Sequence, residues 1–365
     1  MGLKCGIVGL TNVGKTTIFN CFSNSKAEVT SFSFSTDKSN LGTVKVPDNR
    51  LYELEKFQPT EKIIPTVVDI VDIPGLAKGA SQGEGIGNKF LGDLRNTDAI
   101  IHVLRCFDDD NLQHIEGSVN PVRDIELLDF ELQIKDLESV EKKIQRVEKL
   151  AKTGDKDSKK ALEVLTVYKN HLEELKSADS APVSEDDQIY VKDLALLTMK
   201  PVLFVCNVDE KSAVSGNKYT ENVKEFLKDK NTEVIIIAAK MESEIAELED
   251  EDERLVFLED AGLSEPGVNK LIRSAYQLLN LQTFFTIGPK EIRAWTIKTG
   301  MTAPEAAGVI HSDLQRGFIR AEVIKYDDFI KLGSEHKCKE AGKFKVEGKT
   351  YIVDDGDLLN IRFNV

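Results

Sequence analysis

The stretch Gly9-Leu10-Thr11-Asn12-Val13-Gly14-Lys15-Thr16 fills every fixed position of the pattern G-x-x-x-x-G-K-[ST]. The chemistry of that spacing is phosphate binding. Glycines let backbone N–H groups close around anionic oxygens, and a following helix N-terminus adds a favourable dipole. Lys15 would reach the β- and γ-phosphates of a nucleoside triphosphate, and the Thr16 hydroxyl would ligate Mg2+. Asn12, Val13, Gly14 and Thr17 complete the cradle. The elements needed to hold such a loop are legible too: Leu3 to Val8 is an apolar run of strand character, and a helical pattern starts at Thr17. The pattern implies nucleotide binding.

A second group of residues could complete a metal and γ-phosphate site. The apolar run from Thr66 ends in Asp72-Ile73-Pro74-Gly75, where Asp72 can hold Mg2+ through water and the Gly75 N–H can sense the γ-phosphate. Thr36 lies in a polar stretch between these motifs, where a nucleotide switch places its second Mg2+ ligand; alone it is one more loop threonine. A third group lies after the apolar strand Pro201 to Cys206, in Asn207-Val208-Asp209-Glu210. A GTPase reads N-K-x-D there, and the aspartate accepts from guanine N1 and the 2-amino group. Glu210 is one methylene longer, and Val208 replaces the lysine that packs on the base. Adenine offers a carboxylate no such donor pair, so Asn207 or the Val208 backbone is expected to accept from adenine N6. Ala239, in Ala238-Ala239-Lys240, sits where related proteins have S-A-K, a loop that touches the base. The segment from Glu242 to Glu253 reads as a solvated acidic helix.

Between these groups the period changes. Leu127, Phe130, Ile134, Leu137, Val140, Ile144, Val147 and Leu150 recur three and four apart, as one helical stripe requires. Thr153-Gly154-Asp155 interrupts the stripe, and Ala161, Leu165, Tyr168, Leu172 and Leu175 resume it. Residues 125–200 therefore read as an antiparallel helical hairpin inserted in the nucleotide domain. Lys142, Lys143, Arg146, Lys149, Lys152, Lys156, Lys159 and Lys160 gather near its tip. They are either a solvated face interspersed with glutamate or an RNA-contacting arm.

Composition sets the outer bounds. No run of 18 apolar residues is present, so no membrane span is expected, and the start Met1-Gly2-Leu3-Lys4-Cys5 leaves no room for a signal peptide. Five scattered cysteines without a C-x-x-C pair fit core thiols in a reducing, cytoplasmic compartment. A net charge of −14 argues against indiscriminate nucleic-acid binding, and nothing points to DNA sequence specificity. Residues 281–365 carry 13 Lys/Arg and 12 Asp/Glu, a net +1, which leaves −15 on the first 280.

Asp72-Ile-Pro-Gly-Leu-Ala-Lys-Gly-Ala-Ser-Gln-Gly-Glu-Gly-Ile-Gly-Asn88 resembles the glycine-rich second switch of Obg-type GTPases, and within them the YchF or Obg-like ATPase family. The likeness extends to Gly2–Gly9, Arg105-Cys106-Phe107, Val119-Asn120-Pro121 and the C-terminal module. There Arg293-Ala-Trp-Thr, Ile310–Ala321 and Asp355–Asn360 resemble a TGS domain. The resemblance implies an α/β P-loop NTPase, a Ras-like G domain over 1–280 interrupted by the helical hairpin, and a C-terminal β-grasp over 281–365. It further implies slow ATP hydrolysis in preference to GTP, with Mg2+, and contact with the ribosome or its large subunit and with RNA. Leu76 stands where Ras-like enzymes carry a water-orienting glutamine, and a leucine cannot hydrogen-bond a nucleophilic water. The resemblance makes His114 the substitute; its own surroundings read as a polar surface loop. The first switch departs from the family's F-x-T-I-E-P-N: Phe34-Ser35-Thr36-Asp37-Lys38-Ser39-Asn40 keeps the threonine and loses the proline. A GTPase of the Obg class, or a nucleotide-gated RNA- or protein-binding module with incidental hydrolysis, are the alternatives.

Overall fold

The computed structural model describes residues 3–24, 31–33, 40–74, 86–230, 232–248 and 250–364. Thr36, Gly75 and Leu76 lie outside the described residues. The chain runs β1 (Lys4–Val8), α1 (Lys15–Asn24), β2 (Ser31–Ser33), β3 (Asn40–Lys45), α2 (Arg50–Phe57), β4 (Ile63–Ile64), β5 (Val67–Asp72), α3 (Ile86–Arg95) and β6 (Ala99–Arg105). It continues through α4 (Pro121–Ala151), α5 (Lys156–Glu173), β7 (Val202–Asn207), α6 (Lys218–Leu227), β8 (Val234–Ile237), α7 (Ala239–Glu247), α8 (Glu251–Asp260) and α9 (Gly267–Leu278). The last stretch holds β9 (Leu281–Ile287), β10 (Ile292–Lys298), α10 (Ala303–Ile310), α11 (Ser312–Arg316), β11 (Phe318–Lys325), α12 (Tyr326–Leu332), α13 (Glu335–Glu340), β12 (Lys345–Glu347) and β13 (Asp357–Phe363).

The first compact unit comprises Met1–Lys26, Ser31–Gly42 and Asp69–Lys270. Its sheet has the order β2-β3-β5-β1-β6-β7-β8, and β1 pairs in parallel with β5 and β6, as do β6 with β7 and β7 with β8. Every residue of β6 is buried, because helices cover both faces of such a sheet. A ligand site is expected at the carboxyl ends of these strands, where β1, β5, β6 and β7 deliver the phosphate loop, Asp72, Arg105 and Asn207.

The helical hairpin is present as α4 and α5. Asn120 caps α4 by accepting from the Arg123 N–H, with Pro121 at the first position, and the helix runs 31 residues. Gly154 takes φ +96° at the turn, a conformation open to glycine, and Asp155 accepts from the Ser158 N–H at 2.8 Å to start α5. Val140, Val164, Leu165, Tyr168 and Leu172 form the hairpin core. The expected stripe is shorter than its pattern: Phe130 and Leu150 are exposed. After α5 the chain makes short 3-10 turns, not helix, and Asp136 anchors them by accepting from the N–H groups of Leu197 and Thr198, each at 2.8 Å.

The second unit takes Ala27–Thr30, Thr43–Val68 and Leu271–Val365. The boundary drawn at 281 from sequence thus differs from this partition in one instructive respect: residues 43–68 belong with the C-terminal part. Strand β4 adds to β10, Ile63 beside Ile292 and Ile64 beside Arg293, at the end of a sheet ordered β12-β11-β13-β9-β10-β4. Leu51 and Leu54 of α2 share a core with Phe285, Ile292, Ala294, Phe329 and Leu358. Arg50 donates to Asp355 at 2.7 Å and to Asp48, and its guanidinium lies 5.1 Å from the Phe285 ring centre. Tyr351 to Val353 is not a strand. It contributes one isolated bridge, Thr302 to Ile352, because the buried Asp357 carboxylate gathers the Tyr351 hydroxyl, the Asp354 N–H and Lys325 into a turn.

Candidate nucleotide site

Backbone shape at the phosphate loop is set by three left-handed or extended-positive residues: Gly9 at φ +150°, Asn12 at +63° and Gly14 at +96°. A Cβ on Gly9 would stand 2.4 Å from the Val103 carbonyl oxygen, and one on Gly14 would stand 2.3 Å from Asn207 Nδ2. Neither neighbour can retreat, so glycine is required by contact as well as by conformation. Asparagine is among the few other residues that adopt the left-handed region readily. The loop feeds directly into α1, whose first-turn N–H groups have no carbonyl within the helix to meet. Val13 is buried beneath the loop, and Thr17 follows on α1 half-buried.

Lys15 is buried, donates to the Leu10 carbonyl at 2.6 Å, and has its pKa lowered to about 8 by burial, with Asp72 pulling the other way. Asp72 is raised by burial, offset by Lys15 and by the Thr16 hydroxyl, which donates to its Oδ2 at 3.4 Å. The structure therefore brings Lys15, Thr16 and Asp72 to one place. Thr16 and Asp72 supply hard oxygen donors side by side, the chemistry that a small divalent cation selects. Among the described residues no group of three or more His, Cys, Asp or Glu is placed to hold a metal ion by itself. An ion there would draw its other ligands from phosphate oxygens and water.

The base-side residues divide. Asn207 is buried and uses half of its amide capacity on the protein: Nδ2 donates to the Val13 carbonyl at 2.8 Å, and Oδ1 accepts from the Ala239 N–H at 3.0 Å. It braces the phosphate loop against the base loop, and Ala239 is buried with its N–H committed. The Val208 N–H completes the sheet by donating to the Ile237 carbonyl. Asp209 caps the turn Glu210–Ser212 by accepting from the Ser212 N–H. Glu210 is half-exposed, and its Oε1 lies 3.3 Å from Lys240 Nζ. Glu242 is not on a solvated face. Buried, it accepts from the Gly267 N–H at 2.6 Å and caps α9.

His114 is buried rather than a surface loop residue. Its Nδ1 accepts from the Glu116 N–H at 3.1 Å, which leaves the proton on Nε2, 3.0 Å from Asp124 Oδ2. Arg123 holds the other oxygen of Asp124. Asp124 went unnoticed in the sequence, since an acidic residue in a helix's first turn is commonplace. His102 on β6 is likewise buried and is driven to about 3 by burial and Lys15, so it stays neutral.

Comparison with known proteins fits this geometry. Residues 4–164 match the family model described as 50S ribosome-binding GTPase, and residues 281–364 match the YchF-GTPase C-terminal model, described as a protein of unknown function. Proteins described as ribosome-binding ATPase YchF from Bacillus subtilis (strain 168) and Escherichia coli O157:H7 are 50% and 48% identical, over the full length of this chain and of each relative. A solved structure described as the Schizosaccharomyces pombe YchF GTPase is 33% identical, covers 99% of this chain and 98% of its own, and superposes with a TM-score of 0.87. One set of descriptions says ATPase and the others say GTPase, which leaves the base to chemistry. The chain belongs to the YchF family of P-loop nucleotide-binding proteins.

Proposed function

We propose that the chain binds and slowly hydrolyses ATP in preference to GTP, and that its nucleotide state governs engagement of the ribosome in the cytoplasm. The observation that carries the base choice is Glu210. It stands where the guanine-reading aspartate would, it is longer, and its carboxylate is partnered by Lys240. Asn207 and Ala239 also brace the loops, and base selection is assigned chiefly to Glu210 and the Val208 backbone beside them. Competitive calorimetry of ATP and GTP on wild type and Glu210→Asp tests this. A preference for ATP that moves toward GTP in the variant supports the reading; a wild type that prefers GTP overturns it. The GTPase reading stays second, favoured by the descriptions of the matched model and the Schizosaccharomyces structure.

For hydrolysis, Lys15 would neutralise charge on the transferring γ-phosphoryl group while the loop amides hold the β-phosphate, so that water attacks the γ-phosphorus in line and the nucleoside diphosphate leaves. Thr16 and Asp72 would hold Mg2+, with Thr36 assigned to complete the set, and the ion would supply positive charge to offset that of the phosphates. Gly75 would report on the γ-phosphate. For His114 to orient water, its ring has to exchange Asp124 or the Glu116 N–H for solvent. His114→Ala with unchanged stimulated turnover removes it from the mechanism. Ribosome contact is supported by the relatives' description as ribosome-binding and by Arg146, Lys149, Lys156 and Lys159, exposed at the hairpin tip and without an ion pair among the described residues. RNA is the partner chemistry such a stripe fits.

A further inference from the structure

Arg105 ends β6 and is among the largest side chains that are wholly buried. Among the described residues no carboxylate pairs with it. Its guanidinium instead donates to three carbonyls of the following loop: Nε to Phe107 at 3.2 Å, Nη1 to Leu112 at 2.6 Å and Nη2 to Asp109 at 3.2 Å. The Phe107 ring lies 4.8 Å from it. Burying a cation is costly unless its donors are satisfied, and here the whole compensation comes from the shape of one loop. The planar fork reaches the three carbonyls from three separate nitrogens, a span that the single nitrogen of an ammonium does not cover.

That loop touches the phosphate loop. The carbonyl of Gln113, next after Leu112, accepts from Asn12 Nδ2 at 3.3 Å, and His114 follows. Arg105 also pairs across the sheet with Asn207, whose side chain holds the Val13 carbonyl. Consecutive residues of the phosphate loop are thus held from neighbouring strands, Val13 by Asn207 directly and Asn12 by Arg105 through the loop it shapes.

We infer that Arg105 is a positioning residue for nucleotide hydrolysis, setting the crest of the phosphate loop through the Gln113–Asn12 contact. This rests on the hydrolytic reading above. A small displacement of reacting groups costs rate out of proportion to binding, so the signature is a split between turnover and affinity. Arg105→Lys keeps the charge and loses the three-way grip. Asn12→Gly keeps the left-handed backbone and loses the tether. Each is expected to lower kcat for ATP about tenfold while the ATP dissociation constant moves less than about threefold, and the double variant to fall no more than about twofold below the slower single one.

The inference is overturned if folded Arg105→Lys keeps the wild-type kcat, if kcat and affinity fall together, or if the two losses multiply. Should Arg105→Lys fail to fold, Asn12→Gly decides alone: a kcat loss at constant affinity supports the inference, and an unchanged kcat ends it. A wild type that turns over GTP instead of ATP defeats the base assignment, and the same test then runs with GTP.

Discussion

The two ends of the nucleotide site are built to different tolerances. At the phosphate end, Gly9 and Gly14 leave no room for a methyl group, Lys15 is buried on a carbonyl, and Asn207 pins Val13. At the base end, Glu210 is half-exposed and meets a lysine that is 80% exposed. Exposed pairs of that kind contribute at most about 1 kcal/mol. The phosphate loop is therefore fixed by packing, whereas the proposed choice of base would rest on a few solvent-facing atoms. One fold can keep its chemistry while its base preference drifts.

Experiments can break that contrast, the largest effect first. Gly14→Ala drives a Cβ into the Asn207 amide at a positive φ, and nucleotide binding measured by calorimetry should fall by about a hundredfold or more, with a lower Tm. Retained affinity would mean that the phosphate end is more forgiving than its contacts imply. Next, pH acts on Lys15. Its pKa in the free protein is lowered to about 8, and phosphate raises it, so binding takes up a proton above that pH. Affinity is full below pH 8 and should be about tenfold weaker at pH 9 than at pH 7, with buffer-dependent heats reporting the proton. Glu210→Asp should shift the ATP-to-GTP preference by about tenfold, since the exchange concerns one donor pair. Lys240→Met should change it by less than about threefold. If Lys240 matters more than Glu210, the base end is organised around the lysine.

Legibility followed the range of the interaction. The phosphate loop, Asp72 and the helical hairpin were readable because strand, loop and helix signals sit within a few residues of one another. That Asn207 also braces the loops was not readable, because its partners, Val13 and Ala239, lie 194 and 32 residues away, and no local pattern reveals them. Glu242 looked like surface acid for the same reason; its partner is the start of a helix 25 residues on. Arg105 carried a usable signal, a charge closing a run of wholly buried residues. The strand β4 carried none. Two isoleucines become a strand only because Ile292 and Arg293 are there to receive them.

That borrowed segment has a consequence for synthesis. Residues 43–68 leave the ribosome long before Leu271–Val365 exist. At about 5–20 residues per second, the intervening 200 or so residues take roughly 10–40 s. Through that interval Leu51 and Leu54 have no core to enter. The nascent chain must shelter an apolar helix by other means, and a chaperone that grips short apolar segments would find it there first.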